Sequence, residues 1–379
     1  FFFSLFVFYL YSIQSLINKN SILNLVFLAF FSALLINAKI LGIIPYFTFL
    51  IMYTIYVFEK NKNFNRNFSN IVFFVAITFL FIIVLWPYLW SSPFKNLINA
   101  YLDIINAHNS LEVLNFFAGN YLSSNDTPWF YRIVWFLITT PLIISFLFVL
   151  GFILLLKRII SRILSFNEKN TNLWNNKNEF YDFYILMVMM ITFFLTAKFN
   201  ESQFGGWRHL YFLYATIIYI FIYMYEKIIS SKKMLIKNSI NIIILITFAY
   251  NSVWMIVNHP YQNNYFNILF NKYAKNNYDL DYWGLSNFQA IQHILKNDNR
   301  KNINISTISF ADLNTSLLKL KINDRKRLKI VYDYNKADYL INSYTKRIGK
   351  NFTINSDKYQ KFNDIRVGNK TINTVFKKK

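Results

Sequence analysis

The residues of this chain best suited to chemistry on a charged substrate fall in short groups. Gly205-Gly206-Trp207-Arg208-His209 joins two glycines, which let the backbone turn sharply or approach a ligand closely, to an indole that can stack on a sugar face and a planar guanidinium fork suited to phosphate. Lys39 occupies a very short turn between two apolar blocks, where an ammonium is expensive unless it is paired or serves a function. His259-Pro260-Tyr261 follows the last long apolar block, and Pro260 stops the helix at the preceding residue, leaving His259 at its exit. The plain alternative for each group is an interfacial aromatic or a snorkelling cation. A further set, Asp103, His108, Asn109, Glu112, Asn125 and Asp126, lies between Trp86-Pro87-Tyr88-Leu89-Trp90 and Pro128-Trp129-Phe130-Tyr131. Polar residues held at a bilayer surface between such aromatic anchors can meet a lipid head group.

The elements that must position these groups are apolar blocks at about 1–17, 22–38, 40–58, 70–89, 133–156, 181–197, 209–226 and 238–258. A hydrocarbon core of about 30 Å needs about 20 apolar residues in helix, and lipid offers the backbone no partner, so helix is the expected conformation. The expected fold is therefore mostly α: a polytopic transmembrane bundle of about eight spans in 1–258, with a loop at 90–132. Orientation follows from the basic residues. Lys60, Lys62, Arg66, Lys157, Arg158, Arg162, Lys169, Lys177, Lys227, Lys232, Lys233 and Lys237 lie in one set of gaps, against only Lys39, Lys95, Arg132, Lys198 and Arg208 in the other. The richer set is assigned to the cytoplasm, which places the loop 90–132 and the segment 259–379 outside, in a multi-pass protein of the cytoplasmic (inner) membrane.

The formal net charge of +22 is divided between cytoplasmic loops and an outer segment, without a single stripe, so nucleic acid is not an expected partner. With no Cys, and only His108, His209, His259 and His293, neither a disulfide framework nor a metal site is expected, and no cofactor is implied. The chain opens at Phe1 inside an apolar run, which reads as a fragment whose N-terminal part is missing. After Val257 the signals become short and alternating: helices near Asn287–Leu295 and Asp312–Leu318, and strands near Ile303–Ile308, Leu328–Tyr332, Asp338–Ile341 and Thr371–Phe376. A small α/β domain at 259–379 is the expectation.

Five segments in order, WPYLWSSP, DTPWFYRIVWFLITTP, GGWRHLYF, HPYQNNYFN and DLDYWG, resemble the C-terminal two-thirds of bacterial membrane glycosyltransferases of the GT-C superfamily, related to the dolichyl-phosphate-mannose protein mannosyltransferases of glycosyltransferase family 39. The final ADYLIN and TVFKK resemble that group's tail. The resemblance implies a GT-C fold and transfer of a sugar from a polyprenyl-phosphate donor to a lipid, glycan or protein acceptor at the outer face of the membrane, by inverting displacement at the anomeric carbon. It places the acidic base in a first outer loop, upstream of Phe1. Asp103, Glu112 and Asp126 are outer carboxylates, but nothing maps them to that role. The remaining expectation is a donor-binding half, with Lys39 and Arg208 on the leaving phosphate, where charge grows as the bond breaks, and Trp207, His209, His259 and Tyr261 as further substrate-binding candidates. The competing class is a transporter or flippase of lipid-linked sugars, which should carry paired ionisable groups or broken helices near the midplane.

Overall fold

The computed structural model describes residues 1–60, 64–110, 112–165, 173–198, 203–231, 233–345 and 354–379. The expected cytoplasmic Lys62, Lys169 and Lys232 lie outside the described residues, as do the side chains of Lys60, Arg66, His108, Asn109 and Lys198. The chain is mostly helical. It runs α1 (Phe2–Asn18), α2 (Ile22–Ala38), α3 (Ile43–Lys60), α4 (Phe64–Leu85), α5 (Pro93–Ser110), the hairpin β1 (Leu114–Phe117) and β2 (Asn120–Ser123), then α6 (Tyr131–Thr139), α7 (Leu142–Leu164), α8 (Lys177–Lys198), α9 (Tyr214–Ile229) and α10 (Met234–Val257). The C-terminal part adds α11 (Ala274–Asn277), α12 (Ser286–Asn297), β3 (Ile303–Thr307), α13 (Asn314–Leu318), α14 (Ile322–Lys326), β4 (Leu328–Ile330), β5 (Tyr339–Asn342), β6 (Tyr359–Val367) and β7 (Lys370–Lys378).

Six helices among the described residues are long and apolar enough to cross a membrane: Ile40–Glu59, Asn67–Leu85, Leu142–Leu164, Lys177–Ala197, Arg208–Ile229 and Met234–Val257. The expected first two spans form helices of 17 residues each. At 1.5 Å per residue each is about 26 Å long, short of a hydrocarbon core of about 30 Å. The block expected at 133–156 is not one helix. Thr140 leaves α6 in extended conformation and the next helix begins at Leu142, just after Pro141, because proline lacks the N–H and its ring crowds the preceding turn. The loop 90–132 is likewise more ordered than its polarity suggests, holding α5 and the β1–β2 hairpin. Ala118 and Gly119 make that hairpin's two-residue turn, both with positive φ, the pairing that matches the twist of the flanking strands.

The chain divides into two compact units, and the division does not fall at one point of the sequence. One unit is 1–110, 144–201 and 208–238; the other is 111–143, 202–207 and 239–379. In the first, α1, α2, α3, α4, α8 and α9 pack together. The phenol of buried Tyr9 donates to the Pro45 carbonyl at 2.9 Å, and the Tyr184 phenol lies 3.2 Å from that of Tyr9. Buried hydroxyls in an apolar setting need such partners, so they fix which faces of α1, α3 and α8 meet. A side-chain network joins α7, α8 and α9. Arg158 donates from Nε to Glu179 Oε1 (2.7 Å) and from Nη1 to Asp182 Oδ2 (2.9 Å), Arg162 Nε adds a bond to Glu179 Oε1 (3.1 Å), and the Tyr219 phenol donates to Asp182 Oδ1 (2.7 Å). The Glu179 side chain is fully buried. Every carboxylate oxygen named here therefore has a donor, which is the condition for placing such charges away from water.

In the second unit a five-stranded sheet has the order β4-β3-β5-β7-β6. Strand β3 runs parallel to β4 and β5, while β7 runs antiparallel to β5 and β6. The helix α12 covers it, and buried Ala290, Ile291 and Ile294 on its inner stripe share the core with Ile303, Ile305, Ile341 and Val375. Strand β6 was not expected: its sequence YQKFNDIRV mixes polar residues into both alternations, and it is an edge strand with two register irregularities. No residue of α10 is buried.

Candidate functional site

Three of the six candidate site residues meet in the first unit. The turn that holds Lys39 is tight because Gly42 has no side chain: a Cβ there would lie 2.5 Å from the Leu35 carbonyl oxygen, a clash that backbone cannot relieve cheaply. From this turn the half-buried Lys39 reaches across, and its Nζ donates to the His209 carbonyl at 2.8 Å. Arg208 Nε donates to His209 Nε2 at 3.1 Å. The segment Arg208–Leu213 is a short 3-10 turn leading into α9. Two cations are thus drawn to one imidazole-bearing residue at the ends of apolar helices, which makes a corner suited to an anion.

The other three lie in the second unit and are each engaged locally. Trp207 is buried, its Nε1 donating to Thr139 Oγ1 at 3.1 Å and its ring packed edge-on to Phe136 at 5.4 Å, so its faces are used in packing. Tyr261 is buried and its phenol donates to Gln289 Oε1 on α12. His259 is exposed, with Nδ1 2.8 Å from Gln262 Nε2. The carboxylates expected on the outer side, Asp103, Glu112 and Asp126, are all exposed, and Glu112 accepts a bond from Ser123 Oγ at 2.9 Å.

Sequence reasoning missed what holds the second unit's own centre together. Pro141 has no N–H to give to the Leu137 carbonyl four residues back. Asn267, from the HPYQNNYFN run, supplies one: its Nδ2 donates to Leu137 O at 2.7 Å and to Thr140 O at 3.1 Å, while its backbone N–H bonds Ile138 O at 2.9 Å. The Gly-Gly loop is pinned in a comparable way. The Gly206 N–H donates to the Tyr131 phenol at 3.2 Å, that phenol donates to Asn115 Oδ1 at 3.2 Å, and Asn115 Nδ2 donates to Gln203 O at 2.8 Å. Of the DLDYWG motif, Asp279 Oδ2 accepts from the Phe116 N–H at 2.9 Å, and burial pushes its carboxyl up to about 7. Asp281 is fully buried, where its carboxylate accepts the N–H groups of Leu285 and Ser286, both at 2.9 Å, and the Ser286 hydroxyl; burial raises its pKa against those bonds. It caps the start of α12. Lys370 Nζ, over the Phe266 ring, donates to the Asn264 carbonyl at 3.0 Å and to Asn271 Oδ1, and burial pulls it down to about 8. The density of Asn and Asp in these motifs was the available signal, since such residues are the ones that substitute for backbone hydrogen-bonding groups.

Among the described residues no cluster of three or more His, Asp or Glu is arranged to hold a metal ion. Fold and composition together define a multi-pass membrane protein with a small sheet-containing C-terminal part. Compared with protein families, with curated proteins and with solved structures, the chain matched nothing.

Proposed function

We propose that this chain is part of a membrane glycosyltransferase of GT-C type, moving a sugar from a polyprenyl-phosphate donor to a lipid, glycan or protein acceptor at the outer face of the cytoplasmic membrane. The observation that carries the reading is the cationic corner, in which Lys39 and Arg208 both bond to His209. In transfer from a lipid phosphate, negative charge grows on the leaving phosphate as the anomeric bond breaks. Cations already held in place stabilise that charge without reorganising. An apolar cavity of about 490 Å³ agrees with a lipid-borne donor: Ile36 and Ile40, which flank Lys39 in sequence, line it together with Phe79 of α4 and Ile98 of α5. Such a space suits an isoprenoid chain whose phosphate ends near Lys39. The buried ionisable residues of α8, Glu179 and Asp182, sit in its first two turns rather than at its middle, which favours surface chemistry over transport. This reading assigns the base to none of the residues named here, and neither cofactor nor metal is part of it.

The test uses the full-length protein, reconstituted and given a radiolabelled polyprenyl-phosphate sugar. Arg208→Gln and Lys39→Met are each expected to lower transfer about a hundredfold, the scale of losing one fixed donor to developing charge, at an unchanged unfolding midpoint. Transfer unaltered in both variants overturns the proposal.

A further inference from the structure

The C-terminal unit carries a second charged feature that the transferase reading does not use. Residues 259–379 hold 22 Lys and Arg against nine Asp and no Glu, and the excess is not spread evenly. Six of those basic residues, Lys319, Lys321, Arg325, Lys326, Arg327 and Lys329, fall within eleven positions interrupted by one acid, Asp324. The fold sets the beginning of this run, Lys319 and Lys321, opposite the outer stripe of α12. Between them lies a cleft of about 430 Å³ lined by Phe288, Gln292, Leu295 and Lys296 on one wall and by Lys319, Leu320, Lys321 and Asp324 on the other. The α12 wall follows helical spacing, so these side chains face one way while Ala290, Ile291 and Ile294 face the sheet.

The lining divides by chemistry. Lys296, Lys319 and Lys321 are exposed at the cleft, and among the described residues no ion pair or side-chain hydrogen bond takes up their ammonium groups. Phe288 and Leu295 are half-buried and give an apolar floor. Gln292 and Asp324 supply acceptors, and Gln292 a donor as well. An aromatic floor for C–H faces, amide and carboxylate for hydroxyls, and separate cations for separate negative groups is the set that an acidic sugar chain requires. The cations are three ammonium point charges at distinct positions, and such separation matches single charges spaced along a chain better than one phosphate. The volume falls within the range of about 300–1,000 Å³ in which protein pockets take small ligands.

We propose that this cleft binds a short carboxylated oligosaccharide, the lysines holding its carboxylates and Phe288 its ring faces. The experiment is calorimetric titration of the whole chain, held in nanodiscs of neutral lipid, with trigalacturonate, with neutral maltotriose, and with glycerol 1-phosphate as a soluble head-group probe. Trigalacturonate is expected to bind and maltotriose not to. The triple variant Lys296→Gln, Lys319→Gln, Lys321→Gln is expected to weaken binding about a hundredfold, about 2.8 kcal/mol at 1.4 kcal/mol per tenfold. Removing similar charge elsewhere, by Lys272→Gln and Lys275→Gln, is expected to change it less than about threefold. The charge-neutral Gln292→Ala is expected to weaken it about threefold to tenfold. Equal losses in the triple and control variants would mean general attraction to a basic surface and would overturn the proposal. So would the absence of trigalacturonate binding, or glycerol 1-phosphate binding as tightly as the sugar acid, which would make the cleft a head-group site.

Discussion

Asn267 stands in for the N–H that Pro141 lacks, and the two residues are therefore predicted to be energetically coupled. Removing the amide by Asn267→Ala strands the Leu137 and Thr140 carbonyls, which it meets at 2.7 and 3.1 Å from a side chain only 1 % exposed. A buried acceptor left without its donor costs about 1–3 kcal/mol. With Thr140 O the longer of the two bonds, the expected loss is about 2–4 kcal/mol. In a Pro141→Ala background α6 can continue through Thr140 and the new N–H can then serve Leu137 O, so the same Asn267→Ala change should cost about 1–2 kcal/mol less. Asn267→Asp should be worse than alanine at neutral pH, because a carboxylate places acceptors against two carbonyls. The measurement is equilibrium unfolding of the whole chain in mixed micelles, followed by near-ultraviolet circular dichroism, for the wild type, both single variants and the double variant. If the single costs add to within about 0.5 kcal/mol, the limit expected of independent sites, Asn267 does not stand in for the missing N–H.

Other consequences follow from the same geometry. Arg158→Met removes donors from both Glu179 and Asp182 and should destabilise by about 3–5 kcal/mol. Arg162→Met leaves Glu179 with Arg158 and should cost clearly less; equal losses in the same unfolding assay would show that the network is not organised as described. Gly42→Ala drives a Cβ into the Leu35 carbonyl and should cost about 1–3 kcal/mol while displacing Lys39, which an unchanged unfolding midpoint would contradict. Asp279 is raised from the usual carboxyl range to about 7, so the folded protein holds a proton that the unfolded chain releases near pH 4. Its contribution to stability is full below about pH 4 and is lost as pH rises through about 7. At 1.36 kcal/mol per unit the swing is at most about 4 kcal/mol, an upper bound because the residue keeps some exposure. Asp279→Asn should flatten the pH dependence of unfolding across that window, and an unchanged profile would refute the assignment.

The membrane character, the helical nature of the long apolar blocks and most strands of the C-terminal sheet were legible in the sequence, because each rests on local rules. Enough consecutive apolar residues must form helix in lipid, alternation with β-branched residues marks Ile303–Thr307, and a short apolar run bounded by polar residues marks Tyr339–Asn342. Pro141 was visible too, yet its break was passed over because apolar composition runs on through it. The pairing of Lys39 with His209, 170 positions away, could not be read: both lie at ends of apolar blocks, but only helix packing decides which ends meet. The same holds for Trp207 and Tyr261, whose residue types suit ligand contact while their burial against Phe136 and Gln289 assigns them to packing. Edge strand β6 lay beyond pattern reading because half-exposed strands at a sheet's rim need no clean alternation. The charge run at 319–329 was present in the letters, but its cleft exists only because α12 and the α13–α14 segment fold against each other. Local preference sets which elements form; burial and the demand that every buried polar group find a partner set which side chains are left to act.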